Sequence, residues 1–279
     1  MKTQREQKVL VYLGFYKGAT LRKLYKDYDM CYAFEANPEF VEHVKKEYSE
    51  YSNIRIILGA LTSFDGEIDF NLSSNDGASS SIGSFNEAWS KKRKLEMTRK
   101  VKVPAINLYN FCVSNRVEHI TDYISDLQGM DLEVLKTMKP YLDNKKIDTV
   151  TCEVTKNERY NVYHDLPSNK KSDFEKILSA NYIQTAEGWG SPLKDWSFVK
   201  MPDDWWEMDC KWTLKEKIPQ VKPIVWSKYK ETPKMLQIMK RVNQSIRSLQ
   251  AKLIHKSQIS ETNIEQKCTS LQNKNQTQK

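Results

Sequence analysis

Residues 31–38, Cys31-Tyr-Ala-Phe-Glu-Ala-Asn-Pro38, decide the fold: a short apolar run stops at a carboxylate and is followed at once by helix-starting residues. An acid at the carboxyl end of a strand, about 20 residues after a glycine turn, is where open α/β sheets hold the ribose hydroxyls of a nucleoside ligand. Glu35 also reads as the polar end of an ordinary strand beside an Asx turn at Asn37, so its neighbours decide.

Upstream, Lys8 to Leu13 is a strand-like apolar run that enters Gly14-Phe-Tyr-Lys-Gly18-Ala-Thr20. Glycines at both ends of such a turn let the backbone bend tightly and approach a ligand closely. The spacing then predicts a helix over 20–28 and a strand over 32–35, which completes a first βαβ unit. Downstream, Pro38 opens a helix to about Tyr48 with Phe40, Val41 and Val44 inward. Residues 53–61, NIRIILGAL, read as one strand buried on both faces. Asp65-Gly66 reads as a hairpin-type turn and 67–72 as an alternating strand.

The polar run Ser73-Ser-Asn-Asp-Gly-Ala-Ser-Ser-Ser81 reads either as a solvated loop or, by its place at a strand end, as a ligand loop. Residues 86–100 read as a basic helical stretch with Trp89. Strands are predicted over 119–125 and 147–152, helices over 131–139 and 172–183, and a further strand from 182 to 185. Asp195 to Val199 reads as the last strand, and Trp205-Trp206 to Trp212 as an aromatic strap at the domain edge. Trp189 and Trp196 suit either the core or stacking on a sugar face. The fold class expected is α/β: a Rossmann-like, doubly wound, mostly parallel sheet with a C-terminal helical extension.

Charge is unevenly placed along the 279 residues. Residues 215–279 carry 14 Lys and Arg against 4 Glu, leaving 30 basic and 32 acidic residues in the rest, so the net +8 belongs to the tail. A main domain near neutral gives no electrostatic reason to expect polyanion binding in its cleft. No run of 18 apolar residues exists, and the first eight residues lack the apolar segment of a secretory signal, so a soluble, cytoplasmic protein is expected. Five cysteines without a Cys-x-x-Cys suit reduced thiols, and no His or Cys pair has the spacing of a zinc site.

The expected domains are 1–214, the α/β domain; 215–256, a basic linker and helix; and 257–279, a disordered polar tail. Within the second, Met235, Met239, Val242, Ile246, Leu249 and Leu253 form a heptad seam after Thr232-Pro233. That seam suits docking on its own domain, a homodimer or a partner helix through 232–256, while Lys240, Arg241, Arg247 and Lys252 leave nucleic acid or an anionic membrane as a less favoured contact.

Taken in order, YAFEANPE, TSFDGEIDF, NDGASSS, VKVPAINLYNF, DLQGMDLEVLK and TCEV resemble the FkbM-type S-adenosylmethionine-dependent methyltransferases, over roughly residues 9–200. The resemblance implies a methyltransferase sheet, S-adenosylmethionine bound across Gly14, Gly18 and Glu35, and O-methylation of a sugar hydroxyl. The candidate donor-binding set is Gly14, Gly18, Thr20, Glu35, Asn37, Asp76 and Ser80. Two departures stand out. Tyr12 and Tyr16 occupy positions where the family has an acid and an Asn, and Ile124-Ser-Asp126-Leu-Gln128-Gly129 stands where it reads Lys-Ile-Asp-Val-Glu-Gly.

Methyl transfer to a hydroxyl needs alignment and a base. Asp126 and Glu153, at predicted strand ends, are candidate bases; Asp126 also reads as a helix N-terminal acid and Glu153 as half of a buried ion pair. His164, in the loop NERYNVYHDLP, is a third candidate, whereas His119 reads as structural. No metal is expected, although a carboxylate-bound divalent ion at Asp126 and Glu153 stays open. The expected partner is a carbohydrate or other polar hydroxyl acceptor. The alternatives are a degenerate methyltransferase fold serving as a binding or scaffolding module through its C-terminal helix, or a nucleic-acid methyltransferase steered by the basic tail.

Overall fold

A computed structural model describes residues 6–156, 161–188 and 206–218. The first strand, β1 (Val9–Leu13), is buried along its whole length, because alternate residues feed two cores. Val9, Val11 and Leu13 pack with Phe34, Ile120, Tyr123 and Leu135 on one face; Leu10 and Tyr12 pack with Leu21, Ala33, Val41 and Val44 on the other. A strand apolar on both sides can lie only inside a sheet covered on both faces.

The sheet builds outward from β1. On one side β2 (Met30–Glu35) and then β3 (Ile54–Leu58) pair parallel, and on the other β7 (Ile120–Ser125) and β8 (Ile147–Thr155) do the same. Two more strands, β9 (Tyr182–Gly188) and β10 (Glu207–Leu214), complete the order β3-β2-β1-β7-β8-β10-β9, with β10 antiparallel to both its neighbours. The order of strand addition reverses at β1, with β2 and β3 laid to one side and β7 and β8 to the other, and the gap between β1 and β7 is the switch point where the carboxyl ends of open α/β sheets leave a crevice. Helix α1 (Leu21–Leu24) follows β1, and α2 (Pro38–Glu47) follows β2 with Asn37 as its N-cap. The Asn37 side chain accepts the Glu39 amide at 3.0 Å.

Five expectations from sequence are corrected. The run 53–61 is two strands, because Gly59 separates β3 from β4 (Ala60–Thr62) and a Cβ at Gly59 would lie 2.4 Å from Ile106. β3 is a half-exposed edge strand, so its apolar run did not mean burial on both faces. The Asp65-Gly66 turn makes no hairpin, since β6 (Met97–Asn107) lies between β4 and β5 (Gly66–Ser73) in a second, three-stranded sheet. Asp65 instead accepts the Asn107 amide at 2.8 Å.

The basic stretch 86–100 is helical only as α3 (Glu87–Arg93), ended by a left-handed Lys94, and its remainder enters β6. Lys100 and Lys102 on β6 face Asp69 and Glu67 across the strand pair, so charges that read as a helix surface are cross-strand partners. Finally, Trp206 to Trp212 is no strap: it leads into and forms β10, with Trp212 2% exposed and stacked on Phe174 at 5.7 Å. Residues 189–205, with Trp189, Trp196 and the expected strand 195–199, and residues 219–279, with the heptad seam and tail, lie outside the described residues.

Helix α4 (Leu108–Ser114) follows β6, α5 (Asp131–Thr137) and α6 (Lys139–Asp143) join β7 to β8, and α7 (Lys171–Leu178) precedes β9. Among the described residues no helix is long and apolar enough to cross a membrane.

Candidate functional site

The carboxyl ends of β1, β2 and β7 meet at Gly14. Its amide donates to the Phe34 carbonyl at 2.9 Å, the Asp126 amide donates to the Leu13 carbonyl at 3.0 Å, and a Cβ on Gly14 would stand 2.0 Å from the Asp126 carbonyl oxygen. With φ +77 as well, only glycine fits there. Gly18, also at φ +77, lets the turn close on Val44 of α2.

Glu35 is 8% exposed at the end of β2. Its Oε2 accepts the Tyr16 amide and its Oε1 the Asn37 amide, both at 2.8 Å, so backbone dipoles aim the carboxyl. Burial pushes it up to about 7, against the pull of those amides toward the charged form. Tyr16 adopts a left-handed φ of 53, a region where Asn is common and Tyr is not. The departure at this position is therefore tolerated by packing: the Tyr16 ring meets Phe40 edge-on at 5.0 Å and its hydroxyl reaches the Asp76 carbonyl at 3.2 Å.

Beside these lies a cleft of about 580 Å³, counting its open mouth. Gly14, Tyr16, Glu35, Gly77, Ser80, Asp126 and Gln128 give it polar edges, and Phe34, Ala60, Leu61, Phe70, Ile82 and Met130 give it an apolar wall. The loop 73–81 is built rather than loose. Ser80 is buried and its hydroxyl donates to the Gly77 carbonyl at 2.8 Å, while Asp76 is an exposed ion-pair partner of Lys17 across the cleft mouth.

Across Gly14 from Glu35, Asp126 follows β7 and lines the same cleft. Gln128 Nε2 donates to Asp126 Oδ1 at 2.5 Å and to Glu153 Oε2 at 3.2 Å. Glu153 does not end its strand as expected, since β8 continues to Thr155. Partial withdrawal from water raises the carboxyls of Asp126, whose side chain stays open to the cleft, and of half-buried Glu153, the latter further under the fields of Asp126, Glu207, Asp131 and Asp209. Asp131, fully buried at the start of α5, accepts the Leu127 amide at 3.0 Å and the Ser125 hydroxyl, and burial pushes it up to about 7.

Of the residues singled out from sequence, Gly14, Glu35, Ser80 and Asp126 line the cleft. The others sit outside its lining. Gly18 and Asn37 shape the turn and cap α2, Asp76 stands at the mouth, and Thr20 hydrogen-bonds the Tyr12 phenol. Glu153 reaches the site through Gln128. His164 is exposed, with Nδ1 3.1 Å from the Ser84 carbonyl, and its neighbour Tyr163 is the residue of that loop that turns inward. His119 pairs with Asp148 at 3.0 Å.

Gln128, Tyr163, Asp131 and the wall residues Phe70 and Ile82 were missed. The only signal in the sequence was the Gln at a position where the resemblance expects Glu. Among the described residues no group of His, Cys, Asp or Glu is arranged to hold a metal ion.

A buried acid beyond a glycine turn and an apolar slot fit a nucleoside: the acid accepts ribose hydroxyls and the slot takes the flat base. Similar solved structures include an rRNA methylase from Streptococcus thermophilus, at 11% identity and TM-score 0.40, covering 75% of this chain and 87% of that one. Methanococcus jannaschii fibrillarin pre-rRNA processing protein matches at 17% identity and TM-score 0.38, covering 77% and 69%. The N-methyltransferase NodS from Bradyrhizobium japonicum WM9 matches at 10% identity and TM-score 0.37, covering 75% and 86%. At these scores the likeness carries no argument about acceptor or chemistry. Among curated proteins none matches in sequence. The family model for the methyltransferase FkbM domain matches residues 14–183, so the chain belongs to the FkbM methyltransferase family, with S-adenosylmethionine as its methyl donor.

Proposed function

We propose that this methyltransferase methylates a hydroxyl, on a carbohydrate acceptor. The observation that carries the reading is the carboxyl pair Asp126 and Glu153, joined by Gln128, with Asp126 lining the same cleft as Glu35. A sugar hydroxyl is a poor nucleophile until a base takes its proton, and a carboxyl raised by burial is a stronger base than a free one.

When bound, S-adenosylmethionine supplies an electrophilic methyl group on a sulfonium. Glu35 would accept the ribose hydroxyls, and the close approach at Gly14 leaves room for the rest of the donor. Asp126 would receive the hydroxyl proton on its cleft-facing carboxylate. Tyr12, standing where the resemblance expects an acid, offers the donor's ammonium no charge. Four described cysteines are unpaired and buried, which supports a reducing, cytoplasmic setting.

The test is isothermal titration with S-adenosylmethionine and S-adenosylhomocysteine, followed by mass spectrometry of oligosaccharide and amine acceptors offered in parallel. Binding of both ligands and a one-methyl gain on a sugar oxygen is expected. A gain on amines alone would sink the hydroxyl assignment. A homodimer through residues 232–256 is proposed on the heptad seam, and sedimentation of the chain with and without them tests it.

A further inference from the structure

Gln128 has a fixed orientation. Its Nε2 faces the two carboxyls of Asp126 and Glu153, and an amide oxygen there would meet the carboxylate of Asp126 with no proton between them. Its Oε1 takes the Tyr163 hydroxyl at 2.7 Å, and its carbonyl takes the Ser81 hydroxyl at 2.8 Å. A left-handed backbone at φ 51 sets it on the turn between β7 and α5. Each of the amide's two N–H groups therefore goes to one acid.

The groups facing the pair are mostly acids: Glu35 toward Asp126, and Glu207, Asp209 and Asp131 toward Glu153; the Tyr12 phenol toward Asp126 and the Tyr163 phenol beside both are raised by burial and stay neutral. Two carboxyls in such surroundings share a proton rather than ionise together. Glu153 is the less open of the two and has more acidic neighbours, whereas Asp126 lines the cleft and takes the shorter N–H bond.

We propose that Gln128 is a positioning residue that joins Asp126 and Glu153 into one proton-sharing pair, with Glu153 holding the proton and Asp126 kept as the cleft-facing carboxylate. The inference rests on the hydroxyl-acceptor reading only for its last step. There the acceptor O–H bond breaks as the O–C bond forms, the proton passes to Asp126, and the electrons of the broken carbon–sulfur bond stay on the donor sulfur. The pair then carries two protons and returns one to solvent through the cleft. A glutamate at position 128 would still accept from Tyr163, but when ionised it would donate nothing and add a third charge.

The decisive variant is Gln128→Glu in the full chain, with Gln128→Glu/Glu153→Gln as the rescue that restores an amide between the acids. The first readout needs no acceptor: melting temperature from about pH 5.5 to about pH 8.5, where proton linkage reports the buried acids. Gln128→Glu should melt near wild type at the acid end and far below it at the alkaline end, while the double variant regains the wild-type curve. The second readout is transfer rate against pH, whose acidic limb should move up by roughly one pH unit in Gln128→Glu, since a third acid holds the shared proton more tightly. S-adenosylhomocysteine affinity should stay within about threefold of wild type, a difference under 1 kcal/mol. Parallel melting curves for Gln128→Glu and wild type would overturn the pairing. If the melting curves diverge as expected but no hydroxyl is methylated, the pairing stands and the acceptor reading is what fails.

Discussion

The two acid sites of the cleft hold their carboxyls by different means. Glu35 is held by the amides of Tyr16 and Asn37, groups that belong to the backbone and survive almost any side-chain change. Asp126 and Glu153 meet each other directly and share the side-chain amide of Gln128, whose backbone N–H also reaches Asp126 and whose side chain is held by Tyr163 from a distant loop. Backbone donors make a fixed acceptor suited to binding, and a side-chain donor makes an acid pair whose proton affinity is set by one residue. The lesson is that a binding acid can be built locally, whereas a proton-handling acid here is assembled from three segments.

The largest expected effect breaks the proton-sharing site. Asp126→Asn should lower transfer by about 10²- to 10⁴-fold, the scale of a lost general base, with S-adenosylhomocysteine binding retained; single-turnover kinetics beside calorimetry separates the two. Next is the shared hinge. Gly14→Ala combines left-handed strain of about 1–2 kcal/mol with overpacking of about 1–3 kcal/mol against the Asp126 carbonyl, so urea unfolding should register roughly 3 kcal/mol of lost stability.

Glu35→Ala tests the binding acid alone: donor affinity should weaken by about 1–3 kcal/mol, and unchanged affinity would refute a ribose role. In the wild type the same group predicts weaker donor binding as pH falls below about 7, because ribose hydroxyls are best accepted by the ionised form that acid removes.

Stability should run the opposite way. Glu35 and Asp131 are raised to about 7 and Glu207 to about 8, so the folded chain holds more protons than the unfolded one between the ordinary carboxylate range and those values. Their contribution is complete at the acid side and is lost as pH rises through the folded values, so melting temperature should decline from about pH 6 to about pH 8.5. The smallest effect is at the cleft mouth. Lys17 and Asp76 form an exposed ion pair, and Lys17→Ala should leave the melting temperature unchanged, since such pairs contribute little.

Much of this was legible in the residues. The β1 run, the glycine turn and the Cys31–Pro38 stretch carry local signals of burial, turn and cap, and these produced the first βαβ unit, although the helix expected over 20–28 is α-helical only over Leu21–Leu24. Helices α2, α5 and α7 followed from periodicity. The second sheet was not legible: β6 alternates Lys and Arg with apolar residues, and what makes it a strand is its pairing with β4 and β5 on either side, which no local window contains.

The place of Glu35 is legible along the chain, because strand end, N-cap and glycine turn are neighbours in sequence and depend on local backbone chemistry. The partners of Asp126 are set by folding, because Gln128, Glu153 and Tyr163 come from the β7 turn, β8 and a later loop. A carboxyl's proton affinity depends on burial and on neighbours met through space, and neither has a signature along the chain.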